Sequence, residues 1–372
     1  MKSESVFAAA AAFVSLALAG VAWPAPKYSI IDVGPASSVE GFNNKGEILG
    51  TDAAGQPFTF QHGARSNIVV PAAIINACTS GYIGNLPAPG NGYAGAINDD
   101  GDIALTVYDF PYPPDLPYCV VLYRRGEFSI ITNPVYSVYQ ITGIDGADDV
   151  IYNTYEPISP IDQGGGASCT LPPNSQRLSN VVNYNGINNR GAIVGASFAF
   201  LGGTTNNPAA MVCRNGTIHV YKSLGGSSSQ ASAINDFGRA TGYVTTKSGI
   251  THVAVFDDDD RTVDIGALSK YASDGSQGTS INDFDEIVGM AEFTEINAIQ
   301  PFVSYRHKVY RLATLIDQRD PLRPYVQLSP FGSTALINND GDIAITGSDS
   351  RTGVEHIYIL HPHDDDYRYH DE

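Results

Sequence analysis

The chain has one tryptophan, four cysteines and little charge, with 16% of its 372 residues being Asp, Glu, Lys or Arg. The lone Trp23 lies near the N-terminus, which excludes every repeat class whose signature places a tryptophan in each unit. Cationic residues are scarcest: 21 Lys and Arg stand against 39 Asp and Glu, for a net charge of −18. A surface that neutralises phosphates needs clustered cations, so nucleic acid and anionic membranes are disfavoured as partners. No stretch reaches the roughly 20 apolar residues that a membrane span requires. Long amphipathic helical periodicity is absent as well. Neither G-x-S-x-G, H-E-x-x-H nor C-x-x-C occurs, which lowers the expectation of a linear-motif enzyme or a zinc site.

What remains is 43% hydrophobic and rich in glycine (38), proline (22), tyrosine (21) and phenylalanine (15). That is the composition of a turn-rich β protein with a large core. The N-terminus reads as an export signal. Lys2 precedes a 13-residue uncharged run, Val6 to Leu18, and Ala17-Leu18-Ala19 or Gly20-Val21-Ala22 fits the cleavage pattern. Residues 1–22 are therefore expected to be a signal peptide and the mature chain to be secreted or periplasmic.

One seven-residue signature recurs seven times, beginning at Phe42, Ile97, Ile144, Ile187, Ile234, Ile281 and Ile337. Ile97-Asn98-Asp99-Asp100-Gly101-Asp102-Ile103 is one copy, and successive copies lie 43 to 56 residues apart. Its second position is always Asn or Asp, whose short side chain bonds the backbone two residues on and starts a turn. Its fifth position is Gly in five copies and Asp148 or Asp285 in the others. These residue types tolerate the left-handed backbone that closes a hairpin. Asp99, Asp100 and Asp102 lack the alternate spacing and distal Glu of a calcium loop, so the turn is the reading adopted.

A second apolar strand follows each hairpin in six units: Pro57–Phe60, Cys119–Tyr123, Ala209–Val212, His252–Phe256, Pro301–Tyr305 and His356–Leu360. A last strand follows in several, as in Glu127–Ile131 and Thr262–Gly266. About four strands per unit of about 47 residues predict an all-β, seven-bladed β-propeller with four antiparallel strands per blade. The seventh unit stops at Leu360 without its last strand, while Tyr28–Gly34 resembles Thr262–Gly266. The N-terminal strand is thus expected to complete the last blade and close the ring. The expected organisation is a single propeller over residues 23–360, followed by an acidic, His-containing tail over 361–372.

Repeats of the form A-x-I-N-x-x-G-x-I-V-G, followed by an H-A-F-like and a D-L-G-like strand, resemble the HAF repeats of exported bacterial proteins. The best copies are Ala233–Gly242 with His252–Phe256, and Ser280–Gly289 with Pro301–Tyr305. Only His252 and His356 hold the family's His position. The resemblance implies an extracellular repeat protein, and it brings no catalytic residues.

An even number of cysteines in an exported chain points to disulfides. Cys78 and Cys169 lie in expanded segments before the second and fourth hairpins, while Cys119 and Cys213 share a strand position in those units. That equivalence favours Cys78–Cys119 with Cys169–Cys213, although spacing alone leaves three connectivities. His252 and His356, being equivalent, are expected to make structural hydrogen bonds. Asp257–Asp260 reads as an exposed turn, and the tail with His361, His363 and His370 as solvated. The insertion Val107–Tyr118 holds three Tyr, one Phe and four Pro. Its Tyr108, Tyr112 and Tyr118 are the candidate ligand-binding residues, because a tyrosine offers an apolar face with a polar tip. Packing of that loop on its own blade is the plainer reading.

No catalytic residue, metal or cofactor is assigned. The first functional expectation is a monomeric, non-catalytic binding module for a protein or glycan. The second is a hydrolase or lyase acting on a polysaccharide or phosphorylated substrate, in one form with calcium. Carboxylates gathered at a channel mouth would mark the enzyme; a channel plugged by apolar side chains would mark the binder.

Overall fold

A computed structural model describes residues 25–79, 92–107, 117–131, 135–136, 138–154, 182–197, 207–257, 259–266, 276–293, 296, 298–306, 308–329 and 334–363. The chain is an all-β propeller. Six sheets have four or five strands, and the hairpin Val138–Ile144 with Val150–Thr154 makes a two-stranded one. Within each sheet the strands run antiparallel, and in four of the larger sheets they pair in chain order from the axis outward. Innermost strands contact one another in sequence order, and Leu336–Ile337 of the last sheet returns to Ser38–Phe42 of the first. The inner strand Val138–Ile144 sits between Gly92–Ile97 and Val182–Ile187 in that ring.

The last sheet draws its outer strand from the other end of the chain. Tyr28–Pro35 pairs antiparallel with Val354–Pro362, from Tyr28 opposite Pro362 to Pro35 opposite His356. Tyr28 is fully buried there, in a cluster with Leu312, Ile345, Tyr358 and Leu360. This strand removes an open edge that would otherwise template pairing with another chain. The final strand runs to Pro362, past the expected end of the repeat at Leu360, and His363 N–H still donates to the Lys27 carbonyl. His361 and His363 are therefore part of the folded body, with His361 Nδ1 2.6 Å from Asp342. His370 and residues 364–366 of the tail lie outside the described residues.

All seven signature copies form the same turn. The second-position Oδ1 accepts the backbone N–H of the fourth and sixth positions, as Asn98 does from Asp100 and Asp102 at 3.0 and 2.9 Å. Asp145 does the same for Ala147 and Asp149. The fifth position has positive φ throughout, including the non-glycine cases Asp148 (68°) and Asp285 (63°). Asp257, Asp259 and Asp260 lie between two strands as expected, with Asp257 N–H donating to the Arg261 carbonyl and the Arg261 guanidinium beside Asp257 and Asp259.

The glycine that ends the motif has a separate reason. In the innermost strands the register slips by one residue at Glu40, Gly95, Thr142, Asn185, Ser232 and Thr279. A β-bulge of this kind pushes the backbone of its strand toward the neighbouring one. A Cβ at Gly242 would lie 1.9 Å from the Gln230 carbonyl oxygen, and one at Gly289 2.0 Å from that of Gln277. Gly242→Ala is expected to cost about 3 kcal/mol, since backbone on both sides must shift. Thermal unfolding checks this, and a melting temperature unchanged from wild type would contradict it.

His252 and His356 make the expected structural bonds. Each Nδ1 lies 2.8 Å from a carboxylate, Asp264 for His252 and Asp32 for His356. Each Asp also accepts the N–H of the glycine two residues on, Gly266 or Gly34, both at positive φ. The His strand and the Asp-x-Gly strand are thereby pinned together in two sheets.

The chain departs from expectation between the first two sheets. Ala72–Thr79 is a helix, started by Pro71, whose carbonyl accepts from Ile74 and Ile75. Its two turns are too short to register as periodicity. Cys78 near its end is bonded to Cys119, with Cα atoms 5.4 Å apart, as expected. Cys213 is disulfide-bonded as well. Cys169, expected as its partner, lies outside the described residues.

Candidate functional site

The ring of innermost strands encloses a channel with two mouths. One is the turn-side mouth, built by the signature itself. Asn43 Nδ2 donates to the Asn98 carbonyl of the next sheet, and Asn98 donates to that of Asp145. Asn188, Asn235 and Asn282 continue the series to Asn235, Asn282 and Asn338 at 2.8 to 3.0 Å. Asp145 has no amide to pass on. Burial pushes its carboxyl above the usual carboxylate range, against the hydrogen bonds that it accepts from Asp149 and Ala147.

The third positions make a second belt. Asn44, Asn189, Asp236 and Asp283 each donate a backbone N–H to the third-position side chain of a neighbouring sheet. Asn339 N–H closes the circle on Asn44 Oδ1 at 2.9 Å. Gly146 has no side chain to offer at this level, and Asn189 Nδ2 reaches past it to Asp99 at 2.6 Å. The mouth therefore holds Asp99, Asp236 and Asp283, but each carboxylate is already an acceptor for a neighbouring Asn or backbone amide. Among the described residues no group of His, Cys, Asp and Glu is placed to hold a metal ion.

The waist between the mouths is apolar. Phe42, Ile97, Ile144, Ile187 and Ile234, the first residues of five signatures, line both sides of it. The opposite mouth is a cup of about 470 Å³. All six bulged residues line it: Glu40, Gly95, Thr142, Asn185, Ser232 and Thr279. Extra residues in a strand re-aim side chains, and here the slip turns them onto the channel wall. Gln230 and Gln277 stand beside them, with Gln277 Nε2 3.3 Å from Ser232 Oγ. Asn185 Nδ2 is held by the Ala231 carbonyl, and Thr279 Oγ1 by that of Ala335.

Among the described residues Glu40 is the one ionisable side chain in the cup wall. Burial pushes its carboxyl up, and the hydrogen bond from Ser38 offsets only part of that. Ser38 Oγ donates to Glu40 Oε1. Because the folded state holds the proton more tightly than the unfolded chain, stability falls as pH rises through the folded pKa. Glu40→Gln should therefore melt higher than wild type at neutral pH, and the gain should vanish as pH falls below the unfolded value near 4.5. Melting curves across that range test it; a gain that grows toward acid would contradict the assignment.

Tyr108 and Tyr112 lie outside the described residues, and Tyr118 is placed only by its backbone, opposite Val135. Tyr152, in the hairpin of the third signature, is a core residue packed with Ile141, Ile144 and Val150. Glu40, Asn185, Gln230 and Gln277 were not singled out by motif reading. The signal available was their position, two or four residues before the apolar first residue of a signature.

No protein-family model matches the chain, and no curated protein does. Solved structures resemble it in fold. An oligogalacturonate lyase in complex with manganese is 10% identical, with 91% of this chain and 94% of that one covered and a TM-score of 0.52. The β-propeller domain of the Trilobed protease from Pyrococcus furiosus is 8% identical, with 90% and 93% covered and a TM-score of 0.47. The uncomplexed acylaminoacyl peptidase of Pyrococcus horikoshii is 9% identical at a TM-score of 0.48; the alignment covers 90% of this chain and about half, 51%, of that one. At such identities the likeness is one of fold alone.

Proposed function

We propose that this chain is an exported, seven-bladed propeller that binds a carbohydrate in the cup at the Glu40 end of its channel, without turning it over. The observation that carries the reading is the cup wall: among its described residues, amides and hydroxyls from successive sheets, aimed inward by a repeated bulge, stand around a single carboxyl. Side chains that both donate and accept match vicinal hydroxyl groups. Retaining or inverting glycoside hydrolysis by the usual route needs two carboxyls across the bond, and the described residues of the cup wall supply one.

Seven blades follow if the hairpin Val138–Thr154 counts as a blade; its place in the ring and its signature turn support that count, and Tyr28–Pro35 closes the last blade. Export is supported by the apolar run Val6–Leu18 and by the Cys78–Cys119 bond, which persists in oxidising compartments. Membership among HAF-repeat proteins is supported by the His–Asp-x-Gly pairs at His252 and His356.

Calorimetric titration of the mature chain with neutral oligosaccharides is the test, with thermal shift as a second readout. A ligand at about 100 times its dissociation constant raises stability by about 2.7 kcal/mol. Saturable binding that Gln230→Ala and Gln277→Ala weaken supports the reading. No shift with any carbohydrate overturns it, and shortened products after incubation would replace it with the hydrolase or lyase reading.

A further inference from the structure

We infer that the cup selects an amine-bearing carbohydrate, a free hexosamine unit, with Glu40 receiving its ammonium group. This rests on the carbohydrate reading of the same site. Glu40 lies on the channel wall of the first sheet, and the remaining described wall residues, Thr142, Asn185, Gln230, Ser232 and Gln277 among them, carry no charge. Ser38 Oγ donates to its carboxyl, and among the described residues no Lys or Arg is paired with it. A carboxylate withdrawn from water without a counter-charge is costly, and a cation arriving with the ligand removes that cost. The cup is open, so the cation can enter from solvent, and a net charge of −18 draws it in.

A neutral sugar would leave the carboxyl with hydroxyl donors only. An inorganic cation would leave the amides and hydroxyls across the channel unused. A protonated amino sugar satisfies both walls together: its ammonium donates a charge-assisted hydrogen bond to Glu40, and its ring hydroxyls face Asn185, Gln230 and Gln277.

The experiment compares a chito-oligosaccharide with its fully deacetylated counterpart of equal length and a neutral cello-oligosaccharide. Each is titrated into wild type and Glu40→Gln near neutral pH, with circular dichroism confirming that the variant is folded. A charge-assisted contact of this kind corresponds to a preference of about 10- to 100-fold for the deacetylated chain. In Glu40→Gln the two chitin-derived ligands should come within about threefold of each other. A preference that survives in the variant overturns the inference, because the attraction then belongs to the whole acidic surface. Equal binding of all three ligands to wild type also overturns it and leaves the carbohydrate reading standing. If none of the three binds, both fall together.

Discussion

Asn282→Ala is expected to lower the unfolding free energy by about 4 kcal/mol, at about 1 kcal/mol for each hydrogen bond removed. Asn282 makes four. Its Oδ1 accepts the N–H groups of Phe284 and Glu286 at 3.1 and 3.0 Å, and its Nδ2 donates to the Asn338 carbonyl and to Glu286 Oε2 at 3.0 and 2.8 Å. Only 3% of the residue is exposed, so water cannot replace these partners. Two of the bonds build the turn and one ties the sixth signature to the seventh. Chemical denaturation of the variant measures the loss, and a cost below about 1 kcal/mol would mean that the belt is decoration on a ring held by apolar packing.

Asp145→Asn tests the same belt in the opposite direction. The carboxyl accepts both turn N–H groups, as asparagine would, but it has no amide to extend the series toward the next sheet. Burial raises its pKa, so the folded state is penalised by the ionised form. The variant should gain stability at neutral pH, by about 1 kcal/mol or more from the added donor and the lost charge. That part of the gain due to the charge fades as pH falls through the folded pKa, because protonated Asp145 carries no penalty.

The turns were readable residue by residue because an Asx side chain and a positive-φ fifth position leave one residue type each as their mark. Asp148 and Asp285 could be placed as left-handed before any coordinates, and both are. The resemblance of Tyr28–Gly34 to Thr262–Gly266 placed the N-terminal strand beside the last one, where it pairs. The belts were not readable, because the same asparagine that starts its own turn also serves the next unit, and nothing in a single repeat reveals the second task.

The cup was hidden for a different reason. A bulge is a slip in backbone pairing, and its inserted residue can be Glu, Gly, Thr, Asn or Ser, as at 40, 95, 142, 185 and 232. The mark it leaves is on the opposite strand, at Gly242 and Gly289, where a side chain would strike a carbonyl. Stacking the seven units on Phe42, Ile97 and their equivalents, then reading the column two residues earlier, brings out Glu40 as its one acidic member.

Removing the Cys78–Cys119 bond in a Cys78→Ala/Cys119→Ala variant should cost about 4 kcal/mol, the unfolded-state entropy of a loop of 41 residues at room temperature. The bond joins the helix Ala72–Thr79 to the third strand of the second sheet, and both cysteines are fully buried. Around them Leu49, Ile68 and Val70 of the first unit meet Ile103, Leu105 and Val121 of the second, so the link lies in the core between two sheets. Alanine at both sites avoids leaving a buried thiol unpaired, which isolates the cross-link from polar effects. The helix supplies two apolar contacts of its own, Ile75 and Ile74, and would dock weakly without the tether. Wild type unfolded in reductant should approach the variant, while the variant should not respond to reductant at that bond. If the two melt together under oxidising conditions, apolar packing alone holds the first two sheets in place, and the bond would then serve to protect the segment between them from proteolysis.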